Sequence, residues 1–312
     1  MNKILCLLLT AGLYSCAHNE GADIFMNEEV QNVEVSIPSM GGDFDSRVVY
    51  DTSSKKYKWA AGDTVGIFPN KGGQVEFAIT EDSYGSDVAK FDGGGWALRA
   101  AYTYSAYYPF NFYNRDVKKV PFSYLGQEQV GNDNQAHVGD YTLLIGSPTS
   151  AKDGSLIFSM SHVGYIFGVL MELPADKTYT SFELYADSGI IPIKRSYNLL
   201  SPTLDETDVE YSNHLGVKLK NISTTASKKR IRVWLAFPYM NKVAKTLKAV
   251  VKDSQGYVYV GDVKRNNATF TFEGLERHLA YSLSASPVLT DGFQGGIEDW
   301  VNDGNDYGGE AN

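Results

Sequence analysis

Apolar and polar positions alternate along most of this chain. Val33, Val35 and Ile37 alternate with Glu34 and Ser36, the period of a strand with one buried face. Gly41 to Arg47 is rich in turn formers and reads as an exposed loop. Trp59-Ala60-Ala61-Gly62-Asp63 reads as a turn, and Thr64 to Pro69 as a short buried strand stopped by proline. The longest alternating run follows Gly93-Gly94-Gly95. Trp96, Leu98, Ala100, Tyr102, Tyr104, Ala106 and Tyr108 share one face, and Arg99, Thr103 and Ser105 the other. Leu156 to Val163 opens a second set of strands. Val163 to Leu173, Phe182 to Ala186, Ile231 to Phe237, Leu247 to Val251, Tyr257 to Val260, Thr269 to Phe272 and Tyr281 to Ala285 continue it. No window has a convincing helical period. The pattern predicts an all-β protein in which paired sheets enclose the core.

The two ends differ from this pattern. Met1-Asn2-Lys3 is a short positive start, and Ile4 to Tyr14 is an apolar run shorter than the roughly 20 residues that span a bilayer. Leu13-Tyr14-Ser15-Cys16 completes a lipoprotein-type signal, with a small residue before the cysteine. The expected organisation is a signal peptide over 1–15 and a polar tether over 16–29. A first β-sandwich domain covers 30–155 and a second 156–289, with an acidic, glycine-rich tail over 290–312. That tail has no Lys or Arg and too few apolar residues for a core of its own. It is either a loose extension or a strand in need of a groove.

Composition narrows the chemistry. The chain has 2 cysteines, Cys6 and Cys16, and the first would leave with the signal. Cys16 would then be the lipid-bearing N-terminus, with no thiol left for a disulfide, a nucleophile or a thiolate metal site. Each buried acyl methylene contributes ~0.8 kcal/mol, so a multiply acylated Cys16 would hold the chain on a membrane face. A net charge of −9 repels phosphate backbones and disfavours nucleic acid. None of the 5 histidines forms a ligand-spaced pair, and His162 reads as a buried structural imidazole. There is no Gly-x-Ser-x-Gly elbow, phosphate loop or dinucleotide fingerprint. Adjacent carboxylates such as Asp205 and Glu206 would point to opposite faces of a strand. Nothing supports an enzyme, a cofactor or a metal site.

Several blocks, taken in order, resemble the fimbrillins of the type V pilin superfamily, the major fimbrial subunit-like lipoproteins. They are the lipoprotein signal, Ser46-Arg47, Trp59-x-x-Gly62-Asp63-x-Val65-Gly66-Ile67-Phe68 and Tyr104-x-x-Tyr107-Tyr108-Pro109-Phe110. Phe158-Ser-Met-Ser-His162-Val, Phe272-Glu273-Gly274-Leu275 with Tyr281-Ser-Leu, and a tail with Trp300 complete the series. The resemblance covers nearly the whole chain after Cys16. It implies two tandem β-sandwiches of transthyretin-like topology in a surface subunit that polymerises. A trypsin-like protease would cut after an exposed arginine, for which Arg47 matches by position, with Lys55 and Lys56 open to the same class. The cut would release the lipid and the first strand, with Val33, Val35 and Ile37 as removable plugs. A strand from a neighbouring fimbrial subunit would then fill the vacated groove. Trp59, Gly62 and Asp63 would shape a turn. The alternative is a non-polymerising, carbohydrate-binding surface lipoprotein that uses the aromatic stretch Tyr102, Tyr104, Tyr107, Tyr108, Phe110, Phe112 and Tyr113. That reading asks for exposed, coplanar rings at a cleft.

Overall fold

The computed structural model describes residues 29–30, 32–37, 49–51, 56–186, 190–201, 206–240, 246–272, 275 and 280–290. In chain order the strands begin with β1 (Asn32–Ser36), β2 (Val49–Asp51), β3 (Lys56–Lys58), β4 (Thr64–Pro69), β5 (Val75–Ile79) and β6 (Val88–Asp92). Next come β7 (Thr103–Tyr108), β8 (Val120–Ser123), β9 (Gln127–Val130), β10 (Leu144–Ser150), β11 (Ser155–His162) and β12 (Gly164–Glu172). The series continues with β13 (Thr178–Ala186), β14 (Ile191–Tyr197), β15 (Glu206–Ser212), β16 (His214–Ser223), β17 (Arg230–Pro238) and β18 (Leu247–Asp253). It ends with β19 (Val258–Asp262), β20 (Lys264–Arg265), β21 (Ala268–Thr269), β22 (Ala280–Ala285) and β23 (Val288–Leu289). Two short 3-10 turns, Glu81–Ser83 and Val138–Tyr141, are the helical segments among the described residues. The all-β, tandem-sandwich expectation holds.

Seven strands form the first sheet system, in the order β1-β11-β10-β7-β4-β5-β6, which closes on itself. The expected long strand from Trp96 does not form. The glycine turn before it is present, with φ of +62° at Gly94 and +98° at Gly95. The Tyr104 hydroxyl then accepts from the Arg99 N–H at 2.7 Å and donates to the Arg99 carbonyl at 2.9 Å, holding a second turn that delays the strand to Thr103. Trp96 is left 69% exposed. Ser105, expected on the solvent side, is buried because the outer face of β7 carries a second apolar layer. There Tyr107 stacks on Phe68, and both join Val120, Leu143, Ile145, Val163, Tyr197 and Leu199. Gly66 makes room for this stack, since a Cβ there would lie 2.2 Å from Tyr107 Cε1.

The second system has a five-stranded sheet, β17-β12-β22-β20-β21, and a six-stranded one, β23-β19-β18-β13-β16-β9. Phe167, Val169, Phe237 and Tyr281 of the first sheet and Phe182, Leu184, Leu215 and Val251 of the second belong to one buried cluster. The same cluster includes Val35, Phe158 and Tyr108 of the ring, so apolar packing is continuous through the chain. The strand opening near residue 156, assigned by sequence to the second set, is β11, which pairs with β1 and β10 of the ring. Conversely, β8 and β9 precede that point and pair with β14 and β16. Strands β14 and β16 lie outside the predicted set. In β14 both faces are buried, Arg195 included at 1% exposed, so the alternation that betrays a strand is missing.

Candidate functional site: the first strand and its seat

Alternation places Val33, Val35 and Ile37 on one face of β1 and its flank, and the fold buries them at 6%, 0% and 6% exposure. On one side β1 runs parallel to β11, pairing Val33 with Leu156 and Val35 with Phe158. On the other it runs antiparallel to β6, pairing Val35 with Ala89. It is therefore the strand that closes the ring. Backbone bonds extend the seat at both ends: the Val30 N–H donates to the Leu98 carbonyl at 2.7 Å, and Ile37 N–H to the Asp87 carbonyl at 2.9 Å. The Ser36 hydroxyl adds a bond to the Phe158 carbonyl at 3.1 Å. Burial of each plug residue contributes roughly 1.5–3 kcal/mol. Sheet neighbours lie about 4.8 Å apart, so without β1 the facing edges of β11 and β6 would stand about 10 Å apart.

The Trp59–Asp63 block lies against this strand. Trp59 is fully buried, and its indole N–H donates to the Val35 carbonyl at 3.0 Å. Its ring meets Phe91 and Tyr108 edge-on at 5.0 and 5.3 Å. Asp63 holds the turn behind it. Its Oδ2 accepts from the Ala60 N–H at 2.7 Å, and its Oδ1 accepts from the Tyr108 hydroxyl at 2.9 Å. Gly62, with φ +88°, takes the left-handed position that the turn requires. The block therefore does more than turn the chain, because it fixes the indole that grips β1. Alternation and a turn signal located both parts in the sequence. Nothing in the sequence signalled their contact, which spans 24 residues.

Cys16 and Arg47 lie outside the described residues, as does the tail beyond Thr290. Of the aromatic stretch, Tyr104, Tyr107 and Tyr108 are core residues. Phe112 and Tyr113 are 61% and 81% exposed, but their rings meet at 82° and form no flat platform. His162 is buried at 2% exposure at the end of β11. Among the described residues no group of His, Cys, Asp or Glu is placed to hold a metal ion, and no helix is long and apolar enough to cross a membrane.

No protein-family model matches the sequence, and no curated protein matches it. Solved structures share its fold. A candidate cell adhesion protein from Bacteroides ovatus ATCC 8483 is 12% identical, with a TM-score of 0.50 over 84% of this chain and 95% of that one. A second candidate cell adhesion protein, from Bacteroides uniformis ATCC 8492, is 14% identical with a TM-score of 0.49, over 84% of this chain and 97% of that one. The tip fimbrial protein Mfa3 from Porphyromonas gingivalis, with a C-terminal truncation, is 10% identical with a TM-score of 0.33, over 76% of this chain and 83% of that one. The likeness to the Bacteroides ovatus protein establishes a common fold and no more.

Proposed function

We propose that this chain is the lipid-anchored precursor of a fimbrial subunit that assembles by β-strand exchange after proteolysis and supports adhesion at the cell surface. The observation that carries this reading is the position of β1, a short strand with one apolar face, seated between β11 and β6 as the closure of the ring. In this reading Cys16 carries the lipid on the outer membrane. A trypsin-like protease cuts after Arg47, between β1 and β2, and β1 leaves with the lipid. An extended strand of another fimbrial subunit then fills the seat, where backbone bonds supply affinity and alternate side chains fill the vacated pockets. The motif resemblance and the fold shared with a candidate adhesion protein support the same conclusion. The reading includes two domains, with their border moved past His162 to keep β11 in the ring. The carbohydrate-binding alternative is weakened by the perpendicular rings of Phe112 and Tyr113. N-terminal sequencing of surface-extracted protein tests the proposal. Wild type should start at Val48 and form fibres. Arg47→Ala should keep a blocked, acylated end and form none, and normal fibres from that variant would reject the maturation step.

A further inference from the structure

Strand β17, nine residues long, ends its five-stranded sheet. Among the described residues no strand lies along its outer edge. All six outward backbone groups of Arg232, Trp234 and Ala236 are nevertheless satisfied, by the segment that begins at β9. The Gln127 carboxamide accepts from the Ala236 N–H at 2.8 Å and donates to the Ala236 carbonyl at 2.9 Å. The Gln129 carboxamide accepts from the Trp234 N–H at 2.7 Å and donates to the Arg232 carbonyl at 2.9 Å. Asn132 accepts from the Arg232 N–H at 3.0 Å. The His137 Nε2–H donates to the Trp234 carbonyl at 3.0 Å. Asp133 adds its backbone N–H to the Arg232 carbonyl at 3.3 Å and accepts from the Trp234 indole N–H at 2.9 Å.

The chemistry is that of a strand replaced by side chains. A carboxamide has the donor and acceptor of a peptide group, and residues two apart on β9 share one face at the same spacing as residues two apart on β17. The backbone of β9 is meanwhile bonded in parallel to β16, from Gln127 beside Val217 to Val130 beside Lys220. One strand thus serves two sheets, through its main chain on one side and its side chains on the other. This accounts for the glutamines at 1% and 0% exposure where an amphipathic strand would carry valine or leucine. Glu128, on the opposite face, sits 3.6 Å from Lys218 at the surface.

We infer that β9 and the turn behind it form an edge lock, which keeps β17 from pairing with the β17 of a second copy of this chain. The partner held off is a second copy, because the edge is long and the strand, Ile-Arg-Val-Trp-Leu-Ala-Phe within it, is rich in strand-forming residues. Two such edges pair antiparallel about a twofold axis without any other surface being needed. The inference does not depend on processing at Arg47.

The test uses the full chain from Cys16, carrying Gln127→Leu with Gln129→Leu, which keeps volume and removes both carboxamides. The amides of Trp234 and Ala236 should exchange with deuterium at least about tenfold faster than in wild type. Sedimentation velocity should show a concentration-dependent dimer that wild type lacks, and adding Ala236→Pro, which removes one edge donor, should weaken it. Glu128→Ala, on the outer face of the same strand, should change neither reading. If the double variant does not fold, Gln129→Leu alone gives the same reading at Trp234. Unchanged exchange would overturn the lock, and fast exchange in a chain that stays monomeric would overturn its role against a second copy.

Discussion

At the scale of single residues, Trp59 is the side chain that most directly ties the turn to the strand it holds. Trp59→Phe keeps the ring packing and removes the bond to the Val35 carbonyl, so it should cost about 1–2 kcal/mol. A lower urea midpoint with unchanged slope would show it. Gly66 is fixed by the ring above it. Gly66→Ala forces a methyl against Tyr107 and should cost about 1–3 kcal/mol or more. Pairing it with Tyr107→Leu should cost less than the sum of the two single changes, as a double-mutant cycle in urea would record. Burial pushes the pKa of His137 down to about 4, against a partly opposing bond to the Trp234 carbonyl. The folded value lies below the unfolded one near 6.5, so the unfolded chain binds the proton first. Its stabilisation is complete above pH 6.5 and is lost as pH falls towards 4, by at most about 3 kcal/mol. Thermal melts of His137→Phe should show a shallower fall in Tm between pH 7 and 4.5 than those of wild type. At Asp253 burial raises the pKa, but N–H groups of Tyr257 and Gln255, the Tyr259 hydroxyl and Lys177 outweigh it and hold the carboxyl low. That stabilisation is present at neutral pH and is lost as pH falls from the ordinary carboxylate range through the lowered folded value.

At the scale of elements, legibility followed solvent contrast. β1 was readable because Glu34 and Ser36 separate its three plugs. The Trp96 run misled because its alternation continues through the turn at Arg99 and Tyr102, which the Tyr104 hydroxyl holds. β14 was invisible because neighbours cover both its faces, and β9 because its buried face is made of glutamines. The seat's pairing partners could not be read at all, since β11 lies more than a hundred residues from β1. If β1 is the exchangeable element, a chain starting at Val48 should bind a peptide of residues 30–37 by isothermal titration. The Val35→Asp peptide should bind at least about tenfold more weakly, because it places a carboxylate in a fully buried pocket.

At the scale of the whole molecule, the ring and the second sandwich are interlocked. β8 pairs with β14, β9 pairs with β16, and the β9 carboxamides cover β17. The buried apolar cluster crosses between the two systems as well. A fragment starting at Gly164 would lack β8, β9 and the turn to His137. It should be recovered as an aggregate or oligomer by size-exclusion chromatography, where a self-sufficient domain would elute as a monomer.

The seat of β1 has neighbours of opposite sense, β11 parallel and β6 antiparallel. A replacement segment entering in either direction meets one neighbour of each kind, so main-chain bonding alone scarcely sets its heading. The choice falls to the hollows left by Val33, Val35 and Ile37 and to the indole beside them. Under the proposed strand exchange, that heading would decide whether every member of a fibre faces the same way, and so fix its polarity.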